Sequence, residues 1–240
     1  MSQSVVALID HAVLSPTQTD EDLREACSMC IEVGTASVCV KPAMVPLASE
    51  LLAGSSVVPS TVIGFPHGGT MTGAKVRETE IACQLGASEV DMVVNIGRVL
   101  QQDWAFVKSD ISAVVEAASA EGVITKVIFE TGLLPEDALK IKLCEICEEV
   151  GAAFVKTSTG FGFVKNADGS LQATGATEHD IRLMCQHTSD KVQVKASGGI
   201  RNYADARRFV ELGASRLGTS GTLAIAQGER GHQAESSTGY

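Results

Sequence analysis

One joint recurs along this chain of 240 residues and limits what it can fold into. A segment with helical apolar spacing ends in a hydrophobic residue and a glycine. Small residues follow, then a run rich in β-branched and aliphatic side chains. The joint reads EVGTASVCVKP at Gly34, QLGASEVDMVVNIG at Gly86, EVGAAFVKTSTG at Gly151 and ELGASRLGTSG at Gly213. Glycine after a helix suits the left-handed cap, so each copy predicts a helix end, a short loop and a strand. AEGVITKVIFETG, around Gly122, is a looser copy.

The spacing of the joints sets the architecture. Gly86 to Gly122 is 36 residues and Gly122 to Gly151 is 29, each the length of one βα unit. The flanking gaps of 52 and 62 residues each leave room for one more, with STVIGFP and VQVKASGGI as the candidate strands. With VVALID at the start, eight strands are expected: Val5–Asp10, Ser37–Lys41, Thr61–Phe65, Glu89–Asn95, Lys126–Glu130, Phe154–Thr157, Val192–Ala196 and Ser215–Gly218. Strands alternating with helices imply an α/β fold with a parallel sheet. Eight units in this length fit a (βα)8 TIM barrel, a single domain over residues 1–225. Residues 226–240 are expected to form a flexible polar tail ending in Tyr240. A doubly wound open sheet is the alternative. No G-x-G-x-x-G follows the first strand, so its dinucleotide-binding version lacks its main signal.

Composition narrows the partners. A net charge of -10 argues against nucleic acid and anionic membrane, which both require broad basic surface. It leaves room for a small phosphorylated ligand, which a few amides and one cation bind locally. No run of about 18 apolar residues is present, and the start has no basic region before its apolar run, so the chain is expected to be cytoplasmic. Seven cysteines include the pairs Cys27-x-x-Cys30 and Cys144-x-x-Cys147. Each pair falls on or beside a helical apolar stripe, and the pairs lie far apart in sequence. They are read as reduced core residues rather than metal ligands.

In a barrel, chemistry sits at the C-terminal ends of the strands. Those ends carry Asp10, Cys39 and Lys41, His67, Asp91 and Asn95, Lys126 and Glu130, Lys156, and Lys195. Three lysines therefore fall within β-runs, although burying an ammonium is costly. Salt bridges to Asp10, Asp91 and Glu130 would account for them structurally. The functional reading starts from Lys156 and Lys195, on neighbouring strands. Two ammonium groups about 6 Å apart repel by roughly 3 kcal/mol at an effective dielectric of about 20, enough to lower one pKa by about two units. A lysine so tuned is partly neutral and attacks carbonyls. The turns after the last two strands, SGGIR and GTSGT, expose amides and hydroxyls where barrels commonly hold phosphate, with Arg201 close by. Plain tight turns remain the bland alternative.

EVDMVVNIG, KVIFETG, FVKTSTGFG and KASGGIR, in that order, with LIDHAVLSP and VIGFPHG before them, resemble the 2-deoxyribose-5-phosphate aldolases from about Leu8 to about Gly221. The resemblance implies a class I aldolase, without metal or organic cofactor, that reversibly cleaves 2-deoxy-D-ribose 5-phosphate to acetaldehyde and D-glyceraldehyde 3-phosphate. It assigns the Schiff base to Lys156, its perturbation to Lys195 and proton transfer through water to Asp91. Phosphate contacts map to Thr159, Gly160, Gly198, Gly199, Arg201, Gly218 and Ser220. Asp10 and Lys126 map to the surrounding polar network. Some members carry a lysine directly after the Thr-Ser-Thr-Gly block, where this chain has Phe161, so Arg201 is the expected cationic contact.

Two features stand apart. The tail is either disordered or folds over the barrel mouth and presents the Tyr240 hydroxyl for proton transfer. Cys39 near the mouth is expected to react with unsaturated aldehydes. The rival readings are another Schiff-base barrel, such as a transaldolase or keto-acid aldolase, and a phosphosugar-binding barrel without catalysis. Helix faces allow a homo-oligomer, with no face singled out.

Overall fold

Eight parallel strands close on one another in the computed structural model, which describes residues 4–237 and their side chains as far as residue 232. In chain order the strands are β1 (Ile9–Val13), β2 (Ser37–Val40), β3 (Val58–Ile63), β4 (Glu89–Val93), β5 (Ile124–Ile128), β6 (Phe154–Lys156), β7 (Phe163–Lys165), β8 (Leu171–Ala173), β9 (Gln193–Ser197) and β10 (Arg216–Thr219). The barrel runs β1-β10-β9-β6-β5-β4-β3-β2. The helices are α1 (Asp20–Val33), α2 (Val45–Leu52), α3 (Thr72–Gln84), α4 (Ile96–Leu100), α5 (Trp104–Ala120), α6 (Asp137–Val150), α7 (Glu178–Gln186), α8 (Tyr203–Glu211) and α9 (Thr222–Ser237). No helix among the described residues is long and apolar enough to cross a membrane.

The recurring joints are helix C-caps. Gly34 ends α1 at φ 77° and Gly151 ends α6 at φ 74°, both left-handed. At its other end α1 is closed by a capping box between Thr19 and Asp22. Helix stripes and strands share one core. Leu23, Ala26, Cys27 and Cys30 of α1 are buried, as are Leu139, Leu143, Cys144 and Cys147 of α6. The thiols behave as core atoms, and burial pushes Cys27 up to about 11 and Cys30 and Cys144 up to about 12.

Three expectations need correction. The first strand begins at Ile9 rather than Val5, because Val6–Leu8 form a 3-10 turn. Val5, Val6 and Leu8 are buried all the same, so hydrophobicity could not separate strand from plug. The expected tail begins as helix, since α9 runs through Thr222–Ser237. Glu229 of α9 is buried and accepts hydrogen bonds from the Ser4 hydroxyl and the Val5 amide, both at 2.7 Å. A sequence rich in polar and small residues hides such a role, because the carboxylate's partners are more than two hundred positions away. Tyr240 lies outside the described residues. The loop after β6 holds the antiparallel pair β7 and β8, unforeseen although Asp168-Gly169 marks its turn.

Candidate active site

The register of the barrel stacks the charged residues. Asp91 of β4 is the lateral partner of Lys126 of β5, and Lys195 of β9 is flanked by Lys156 of β6 and Arg216 of β10. Strand neighbours on one face lie close enough for their side chains to meet. The centre of this stack is Asp91, wholly buried. Its Oδ1 accepts from Lys126 Nζ at 2.6 Å, and its Oδ2 accepts from Lys156 Nζ at 2.7 Å and Lys195 Nζ at 2.8 Å. Asp10 accepts from Lys195, from the Ser37 hydroxyl at 2.7 Å and from Arg216 at 2.7 Å. Lys126 also pairs with Glu89 at 2.7 Å.

These contacts sort the cations. Burial works against all four ammonium and guanidinium charges, but carboxylates on two or more sides raise Lys126, Lys195 and Arg216 above their ordinary values. Lys156 has one carboxylate and is shifted down. Burial is the first cause, with Lys195 a further one, and Asp91 opposes both. This corrects the expected cause, because repulsion between the two lysines is secondary to desolvation. Asp91 itself is held well below the usual carboxylate range, the surrounding lysines outweighing its burial.

Above this centre a cavity of about 420 Å³ opens at the C-terminal ends of the strands, a size suited to a small metabolite. Asp10, Lys156 and Lys195 reach it from below. Thr159, Gly160, Gly198, Gly199, Arg201, Gly218 and Ser220 line it too. So do Leu14, Cys39 and Phe161, an apolar wall in which Phe161 meets Phe65 edge-on at 5.4 Å. Two glycines are set by close approach. Gly198 has φ 90°, and a Cβ there would lie 2.8 Å from Gly175 Cα. A Cβ on Gly218 would lie 2.8 Å from Ser197 Cβ and 3.2 Å from Lys195 Cε. Gly218→Ala is therefore expected to cost about 1–3 kcal/mol by overpacking and to lower kcat/KM by displacing Lys195. Thermal melting and steady-state kinetics check the two effects.

Three positions differ from expectation. Glu130 takes no part in the lysine cluster. It adopts a left-handed backbone at φ 56° beyond β5. Its carboxylate accepts from the Thr159 amide at 3.1 Å, from the Thr159 hydroxyl, and from Thr174 beside β8 at 3.0 Å. It therefore pins the loop after β6 to the β7–β8 pair. Thr159 lines the cavity but spends its hydroxyl on Glu130. Cys39 faces the cavity but is only 2% exposed, and burial raises its pKa. Burial also raises Cys83 and Cys185, so exposure sets the order, and native-state alkylation is expected to label these two half-buried thiols before Cys39. Mass spectrometry of a short iodoacetamide pulse reads the order.

Glu89 and Arg216 were missed by the sequence reading. A signal existed: Glu89 and Asp91 are two residues apart on one strand and so share a face. Lys75 and Asp110 form a second unforeseen pair at 2.6 Å, and Lys75 also donates to the Val93 carbonyl at 2.9 Å. They clamp α3 and α5 to the end of β4, two residues past Asp91.

Fold and site define a barrel enzyme whose reactive groups converge beneath one polar-rimmed cavity. The sequence carries this further, since residues 4–226 match the profile of the DeoC/LacD family aldolases. The chain belongs to that family of carbon–carbon lyases. It is 46% identical over 229 residues to a protein of Carboxydothermus hydrogenoformans named deoxyribose-phosphate aldolase, covering 95% of this chain and 96% of that one. Among solved structures, an aldolase named QR15 superimposes with a TM-score of 0.86 at 34% identity, covering 96% of this chain and 98% of that one. A deoxyribose phosphate aldolase from Aeropyrum pernix, described as a unique tetramer, has a TM-score of 0.82 at 29% identity, covering 93% and 89% of the two chains.

Proposed function

We propose that this aldolase reversibly cleaves 2-deoxy-D-ribose 5-phosphate to acetaldehyde and D-glyceraldehyde 3-phosphate through a Schiff base on Lys156. The observation that carries the reading is the position of Lys156. It is the one cation of the buried cluster shifted towards its neutral amine, and it reaches the cavity floor. Its neutral Nζ attacks the aldehyde carbon of the open-chain sugar, and loss of water with uptake of one proton gives an iminium, the proton being returned when hydrolysis restores the amine. That iminium draws electrons from the breaking C2–C3 bond as the C3 hydroxyl loses its proton. Glyceraldehyde 3-phosphate leaves, and an enamine of acetaldehyde remains on Lys156. Protonation of its terminal carbon and hydrolysis release acetaldehyde and restore the amine. Asp91, bonded to Lys156 and Lys195, is the group best placed to relay the protons through water.

The polar end of the same ligand fits the rim. Gly198, Gly199, Gly218 and Ser220 line the same cavity as Lys156 with small residues, and Arg201 adds a cation to the lining. This chain's partners are then a small phosphorylated sugar and small aldehydes. All seven cysteines are free, which suits the reducing cytoplasm we assign to it. The tetramer of the Aeropyrum relative supports a homo-oligomer here too, and light scattering in solution measures its mass.

The test is borohydride treatment with acetaldehyde, read by peptide mass spectrometry, beside an assay for acetaldehyde released from deoxyribose 5-phosphate. An adduct on Lys156 with release of acetaldehyde is the expected result. An adduct on Lys195 would reverse the two lysine roles. An adduct without acetaldehyde release points to another Schiff-base aldolase, and substrate binding with no adduct to a non-catalytic barrel.

A further inference from the structure

Beneath the cavity, three carboxylates and three cations form one unbroken set of ion pairs. The carboxylates are Asp10, Glu89 and Asp91, and the cations are Lys126, Lys195 and Arg216. Their six formal charges cancel. Lys156 is the seventh member and joins through a single contact, Asp91 at 2.7 Å. We infer that Glu89 and Arg216 are positioning residues that hold the charge balance of this set and so fix how much of Lys156 is present as free amine. The inference rests on the Schiff-base reading of Lys156.

The geometry gives each residue a definite place. Glu89 precedes Asp91 by two residues on the same face of β4, roughly 7 Å along the strand. It bridges Lys126 at 2.7 Å and Arg216 at 2.9 Å. Arg216 Nη1 holds Glu89 and Asp10 together, and its guanidinium lies over the Phe154 ring at 5.1 Å. Side-chain exposure is 16% for Arg216, 9% for Glu89 and 0% for Asp10, so solvent screens little of their charge. A charge lost from such a set is balanced by a proton gained or released. Lys126, Lys195 and Arg216 each have at least two carboxylate partners, whereas Lys156 has one, so Lys156 is the group that yields first.

The other polar and titratable groups nearby are uncharged, bonded to partners outside the set, or at the cavity rim. Ser37 on β2 and Ser60 on β3 offer hydroxyls hydrogen-bonded to each other at 3.0 Å, and Cys39 is a thiol held neutral by burial. His11 turns to Thr222 and is shifted down to about 4. Glu130 is engaged with Thr159 and Thr174, and Lys41 with the carbonyls of Ser15 and Gln18. Arg201 stands at the rim.

The sign of each change follows. Glu89→Gln leaves a surplus positive charge, which disfavours the Lys156 ammonium and lowers its pKa. Arg216→Gln leaves a surplus negative charge and raises it. The acid limb of kcat/KM, which reports the free enzyme, is expected to move down in the first variant and up in the second. Each shift is about one unit, as for a unit charge roughly 10 Å away at an effective dielectric of about 20. The double variant is neutral again, so its midpoint returns to the parent's. Arg216→Lys, which keeps the charge, keeps the midpoint. The pH dependence of borohydride trapping on Lys156 should show the same order.

Midpoints that stay put, or move the same way in both single variants, overturn the inference, because a purely structural role lowers kcat without opposite pH shifts. Should Arg216→Gln not fold, Glu89→Gln carries the test alone, and an unchanged or raised midpoint sinks the idea. Absence of any Lys156 adduct in the parent at every pH would instead sink the Schiff-base reading.

Discussion

Lys156→Met is expected to abolish both acetaldehyde release and the borohydride-trapped adduct while the barrel stays folded. The loss should be at least roughly 10³-fold, on the order of what removal of a covalent nucleophile costs. Methionine keeps the length and volume of the side chain and discards the amine. It also removes the cation that burial opposes, so little stability should be lost. Asp91 keeps Lys126 and Lys195 as partners in the variant. Circular dichroism and thermal melting should therefore match the parent while the assay falls to background. Measurable turnover above about one thousandth of the parent would remove Lys156 from the centre of the reaction.

Asp91→Asn should separate the two halves of the chemistry. The carboxylate serves Lys126, Lys156 and Lys195 at once, and the amide leaves three buried cations without their shared anion. Removing one partner of a buried ion pair costs about 3–5 kcal/mol, so the melting temperature should drop clearly. Loss of the anion also favours neutral Lys156. Imine formation with acetaldehyde should therefore survive, with its pH midpoint shifted down. Turnover depends on proton transfer after the imine forms, and should fall about 10²–10⁴-fold. A variant that traps acetaldehyde normally and also turns over normally would show that Asp91 only supports the structure.

Much of this site was legible because barrel chemistry follows sequence order. Lys156 is the last residue of β6, and the small-residue turns follow directly on the ends of β9 and β10. Those local signals need no knowledge of distant neighbours. The β7–β8 pair also carries a local signal, Asp168-Gly169 at its turn. Glu89 could have been found from its period-two relation to Asp91. Arg216 could not, since its meaning comes from Asp10 and Glu89, more than a hundred positions away.

The sequence by itself determined the order of βα units, the strand ends that carry lysine and the family to which the chain belongs. Capping glycines, helical stripes and buried strands are local or periodic properties, and a linear reading captures them. Closure of the barrel decided the rest. It set Asp91 among three lysines, gave three cations two or more anions each, and left Lys156 with one. Burial and counter-charge together fix protonation, and both are sums over neighbours in space. That is why repulsion from Lys195, visible along the chain, proved secondary to desolvation, which depends on the closed interior.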